Sequence, residues 1–117
     1  MRYILSSLFA IFLATPTVAE EFSNVEQRAS FVSLVDGKQL TRLGIKLDVK
    51  PDGRIVGRAF GRNVSGAWKW QAGFFCRDLN WGSEALGQNC QRVKVQGDTI
   101  RFISDKGAGE SADLRLR

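Results

Sequence analysis

Histidine is missing from all 117 residues, while methionine, tyrosine and proline are reduced to one, one and two copies. Without histidine there is no Ser-His-Asp triad, no imidazole ligand for a metal and no histidine-ligated haem. Two cysteines, Cys76 and Cys90, are too few for a four-cysteine zinc site. Beyond residue 19 no long apolar run occurs, so nothing there reads as an integral membrane anchor. Carboxylates are the scarcer charge, 12 against 17 Lys and Arg. The inventory assigns no metal, no cofactor and no catalytic residue, and leaves the activity open.

The first nineteen residues have their own logic. Met1-Arg2 gives a positive start, Tyr3 to Ala14 an apolar stretch, and Thr15-Pro16-Thr17-Val18-Ala19 a breaker followed by small residues. This is the layout of a secretory signal peptide over 1–19, cut between Ala19 and Glu20. The apolar stretch falls short of the about 20 residues needed to cross a bilayer. Residues 20–117 then form one domain in the periplasm or outside the cell, with enough apolar residues for one small core and no second domain.

An oxidising compartment turns the two cysteines into a structural staple. Closing a loop of about 15 residues stabilises by roughly 3 kcal/mol in the chain-entropy model. A reactive dithiol wants a C-x-x-C spacing at a helix start, and this pair has neither.

Ser23-Asn24-Val25-Glu26 has the S-x-x-E form of a capping box, which predicts a helix over about 24–35. Val25, Ala29, Val32 and Val35 form its apolar stripe, widened by Phe31 and Leu34, and Asp36-Gly37 ends it. From about Leu40 the period changes to two, with turn residues every eight to twelve positions. Strands are expected around 45–50, 54–60, 66–71, 74–79, 89–96, 99–104 and 111–116. The turns between them are Pro51-Asp52-Gly53, Gly61-Arg62-Asn63, Ala72-Gly73, a longer loop over 81–88, and Gly97-Asp98. The fold class is mainly β: one N-terminal helix followed by a small antiparallel meander, curled into a lipocalin-like barrel or half-barrel, with the helix plugging an end or covering a face.

Alternation fixes some directions. If Val93 and Val95 point inward, so does Gln91, while Cys90, Arg92 and Lys94 point outward. Pairing with Cys90 places Cys76 outside as well, which turns Phe75, Arg77 and Leu79 inward. A guanidinium on the core side must find a carboxylate or backbone carbonyls. A bulge in this strand would instead place Arg77 in water.

Gly66-Ala67-Trp68-Lys69-Trp70 sets two indoles on one strand face. Trp68 and Trp70 either line an apolar pocket in the barrel mouth or fill the core, and the core reading is preferred because large aromatics dominate burial in a small domain. Trp81, beside Asn80 and Gly82, is expected on a loop as an exposed contact. Whether the mouth is open or filled by Trp68, Trp70 and Phe75 decides between a small molecule and a surface partner.

Lys46, Lys50, Arg54 and Arg58 suggest a positive strip that a phosphate backbone, an anionic lipid or an acidic protein would fit, but Asp48 and Asp52 dilute it. A solvated face is preferred, and no nucleic-acid partner is assigned to an exported chain. Gly107 to Ala112 fits G-x-G-x-x-A only formally, since the dinucleotide fingerprint needs a helix after it and an acidic residue about 20 positions on.

The run Phe31 to Leu40, then Pro51-Asp52-Gly53, Gly66-Ala67-Trp68-Lys69-Trp70, Gly73, Cys76-Arg77 and Cys90-Gln91 resembles a group of short exported alphaproteobacterial β-proteins. The resemblance spans nearly all of residues 20–117. It implies a helix, a small lipocalin-like barrel, one disulfide and no settled activity. Members are often labelled dihydrodipicolinate reductase, which would imply an oxidoreductase with a reduced nucleotide. Enzymes of that name resemble two-domain Rossmann proteins with His and Lys at the catalytic site, and this chain has no His.

The sequence is therefore read first as a non-enzymatic periplasmic binding or interaction module. Trp81 and Arg77, with Trp68 and Trp70, are its candidate contacts to an unknown small molecule or envelope protein. Inhibition of an exported hydrolase is the alternative, and the oxidoreductase reading stands last. The oligomeric state is open.

Overall fold

The computed structural model describes residues 21–117. The expected signal peptide and its cleavage site between Ala19 and Glu20 lie outside the described residues. Strand β1 (Ser23–Val25) is followed by helix α1 (Arg28–Val35) and then by β2 (Leu40–Arg42), β3 (Ile45–Val49), β4 (Arg54–Ala59) and β5 (Arg62–Gln71). The chain continues through β6 (Phe74–Trp81), β7 (Glu84–Gln96), β8 (Thr99–Ile103) and β9 (Ser111–Leu116).

Every pairing is antiparallel, and β2 to β9 close into an eight-stranded barrel with β1 as an extra strand. Closure depends on the pairing of β2 with β9, where Leu40 stands opposite Leu116. Reciprocal backbone bonds between Gln39 and Arg117 extend this seam. β7 is long enough to serve three partners. Its first part, Glu84 to Gln91, pairs with β6, and Arg92 to Gln96 pairs with β8. On the edge opposite β8, Val93 to Val95 also take up β1.

Inward positions follow the alternation. Leu40, Val49, Ile55, Trp68, Phe75, Val93, Ile100, Phe102, Leu114 and Leu116 are all buried. Two inward positions on adjacent walls are glycines, and both are needed. A Cβ at Gly57 would strike the Lys46 carbonyl, and one at Gly66 would strike the Asp78 carbonyl. At both points the neighbouring backbone comes too close for any side chain.

The helix differs from expectation in place and extent. It does not lead the domain. Ser23 to Val25 form a strand on β7, so the anticipated capping box does not form and α1 begins at Arg28, capped by Gln27 without a side-chain bond. Pairing with β7 satisfies the Ser23–Val25 backbone and buries Val25, which outweighs a local helix-start preference. α1 buries Phe31 and Val35, with Val32 and Leu34 packed beside the core, whereas Ala29 is exposed.

α1 plugs the barrel end formed by the β3–β4, β5–β6 and β7–β8 turns. Arg28 Nη2 donates to the Pro51 carbonyl at 2.9 Å and Trp70 Nε1 to the Glu26 carbonyl at 2.9 Å. Phe31 is fully buried at the centre of this plug. Its ring centroid lies 5.1 Å from Trp68, 5.1 Å from Trp70 and 5.0 Å from Phe75.

The region 81–88, expected as a loop, is a hairpin. β6 runs through Trp81, turns at Gly82-Ser83 and returns as β7 from Glu84, with a register shift at Leu79/Asn80 that leaves Leu86 without a register partner in β6. Gly87 takes a φ of 77° beside this bulge, so a residue that reads as a loop marker is a strand irregularity. β5 likewise starts earlier than expected, at Arg62, because Phe60-Gly61 alone makes the turn.

Candidate binding site

The barrel end opposite α1 is open. Behind it lies a cavity of about 400 Å³ with walls from β2, β3, β4, β6, β7, β8 and β9. Leu47, Leu79 and Leu114 supply apolar wall, and Phe75 and Phe102 form its inner limit. The same two rings contact Phe31 from the other side, at 5.0 and 6.4 Å between centroids. One aromatic layer thus divides a filled end from an empty one. The size is that of a small-ligand pocket, and the lining matches one, mostly apolar with a few placed polar groups.

Arg77 is the charged group inside the apolar wall. Its direction is set by the disulfide: Cys76 and Cys90 are register partners joined across β6 and β7, so Phe75, Arg77 and Leu79 take the inner face. The half-buried guanidinium donates from Nη1 to the Gly87 carbonyl at 2.8 Å. Among the described residues it makes no ion pair. Burial pushes its pKa down, partly opposed by the neighbouring Asp78 carboxylate, but an arginine starts so high that it stays a cation. Such a group, with one carbonyl partner and a cavity in front of it, is suited to receive an anion.

Gln91 is buried on the same wall, and its Nε2 donates to Ser104 Oγ at 3.3 Å. Arg42, Glu110 and Ser111 stand at the mouth. The loop from Ser104 to Glu110 is fastened to β7 by Asn89, which donates to the Asp105 carboxylate at 2.8 Å and accepts from the Asp105 amide at 3.0 Å.

Of the residues anticipated as contacts, Arg77 alone lines this cavity. Trp68 and Trp70 belong to the plugged end. Trp68 is buried with Nε1 donating to the Lys50 carbonyl at 2.8 Å, and Trp70 packs against the core. Trp81 is not on a loop. It ends β6 half-buried, donates from Nε1 to the Ala59 carbonyl at 2.8 Å and carries the Arg62 guanidinium 4.4 Å from its ring centroid. Cys76 and Cys90 form the expected disulfide and are unavailable for other chemistry.

Gln91 and Leu79 were readable as inward from alternation. Arg42 was not, because its three-residue strand carries no pattern of its own. Among the described residues no group of three or more Cys, Asp or Glu is placed to hold a metal ion. No described helix is long and apolar enough to cross a membrane. No family model, curated protein or solved structure matches this chain.

Proposed function

We propose that the protein is an exported, non-enzymatic binding module whose barrel takes a small amphiphile, with the apolar body against Leu47, Leu79, Phe75 and Phe102 and an anionic head on Arg77. The observation that carries this reading is a cation held inside a largely apolar open cavity with, among the described residues, only a backbone carbonyl as its partner. Placing a charge there costs solvation, and a bound carboxylate or sulfonate offsets that cost with a charge-assisted, bidentate contact. The contact residues shift accordingly, from the expected Trp81 loop to the cavity wall around Arg77.

The test is a titration with laurate, dodecanol and dodecylamine, read by calorimetry and by protection against thermal unfolding. Laurate is expected to bind at least tenfold more tightly than dodecylamine. The Arg77→Gln variant is expected to lower laurate affinity to that of dodecanol while leaving dodecanol unchanged. Equal binding of the amine and the acid, or no binding of any of the three, overturns the reading.

A further inference from the structure

We infer that the open end of the barrel docks on an anionic lipid surface, with Leu43 and Phe60 as the inserted tips. These residues sit on the turns β2–β3 and β4–β5, both at the mouth. Leu43 is 94% exposed and Phe60 67%. The Phe60 amide donates to the Gly44 carbonyl at 2.8 Å, and its ring lies over Gly44 so closely that a Cβ there would fall 2.6 Å from the ring carbon Cε1. The two turns thereby present one apolar edge, which scattered single exposures would not.

The backbone of Phe60 points the same way. Phe60 and Gly61 have φ of 51° and 79°, the left-handed pair of a two-residue hairpin turn in which Asn, Asp or Gly is favoured at the first position. A bulky aromatic there is strained, and because two thirds of it is exposed the fold gains little burial from it.

The strands leaving these turns carry Arg42, Lys46, Arg58 and Arg62. Lys46 and Arg58 stand directly opposite each other in the β3–β4 register. Like charges across a ladder are unfavourable unless anions neutralise them. Arg58 donates to the Gly61 carbonyl and to Asn63, which holds it against the Phe60 turn. Among the described residues the ion pairs of this group reduce to Arg62 with Glu84 at 3.9 Å. Apolar tips flanked by Lys46 and Arg58, which make no ion pair among the described residues, match the headgroup boundary of a bilayer, where phosphates meet acyl chains. Docking this end would turn the cavity mouth toward the membrane.

The experiment is co-sedimentation of the exported protein, its N-terminus checked by intact mass, with vesicles of pure phosphatidylcholine and of phosphatidylcholine mixed with phosphatidylglycerol. Binding to the mixed vesicles is expected to exceed that to the pure ones at least tenfold and to fall as salt rises. The double variant Leu43→Ser, Phe60→Asn, which relieves the turn and is expected to stay folded by thermal unfolding, should lose binding at least tenfold. No binding, equal binding to both vesicles, or undiminished binding by the folded double variant overturns the inference. Neither Leu43 nor Phe60 lines the cavity, so laurate binding by the double variant reports separately on the amphiphile reading.

Discussion

Asp113 on β9 shows how far a single exposed charge matters here. Its carboxylate takes two hydrogen bonds from Arg101 on β8, at 2.6 and 2.9 Å, which hold its pKa below the ordinary 3.8. A carboxylate whose folded pKa is depressed contributes stability that is present above its unfolded pKa and is lost as pH falls through the folded one. The bidentate geometry is favourable, yet both side chains are partly exposed, so the contribution is modest. Asp113→Asn is therefore expected to melt a few degrees below the native protein at pH 7, with the gap closing below pH 3.8. Thermal melts between pH 2 and 7 check this, and a gap that persists at pH 2 would assign the effect to packing instead of charge. Arg77 stands in contrast as a cation with no carboxylate ion pair among the described residues. That difference is the ground on which Arg77 is proposed as the ligand contact, while Arg101 serves the β8–β9 ladder.

At the scale of elements, α1 matters less as a helix than as the carrier of Phe31. An eight-residue helix without a side-chain cap has little stability of its own and is held by what it buries. Phe31→Ala should cost about 3–5 kcal/mol, since the ring is enclosed by Trp68, Trp70, Phe75 and Phe102 and those rings cannot collapse into the space. Urea unfolding measures it, and a loss under 1 kcal/mol would show that the plug is dispensable. The turns Pro51-Asp52-Gly53, Ala72-Gly73 and Gly97-Asp98 were legible in the sequence because their chemistry is local. The helix start was not: S-x-x-E is a local signal, and the competing pairing joins Val25 to Val93 across the whole domain. For the site, the inward direction of Arg77 followed from alternation plus the cysteine pair. The cavity did not, because it depends on the closure of β2 on β9 and on which inward side chains are short, and no local pattern records either.

For the whole molecule, closure pairs most strand edges; among those left are the outer side of β1 and the first part of β7, where β8 has already ended at Ile103. The Ser104–Glu110 loop covers the β7 edge through the Asn89–Asp105 and Gln91–Ser104 bonds, a thinner seam than a strand ladder. Cys76–Cys90 lies beside it, pinning β6 to β7 at the level of Arg77 and Gln91. With a sequence separation of 14, the bridge should contribute roughly 3 kcal/mol through the unfolded chain, a large share of the 5–15 kcal/mol typical of a domain. Cys76→Ala with Cys90→Ala is expected to lower the urea midpoint by that free energy, and native protein treated with dithiothreitol should follow the double variant. If the bridge only limits the unfolded ensemble, the double variant will still bind laurate with native affinity in the absence of denaturant. Should affinity fall together with stability, the disulfide also holds the Arg77 wall in its binding geometry, and the strand ladder between β6 and β7 does not suffice to place it.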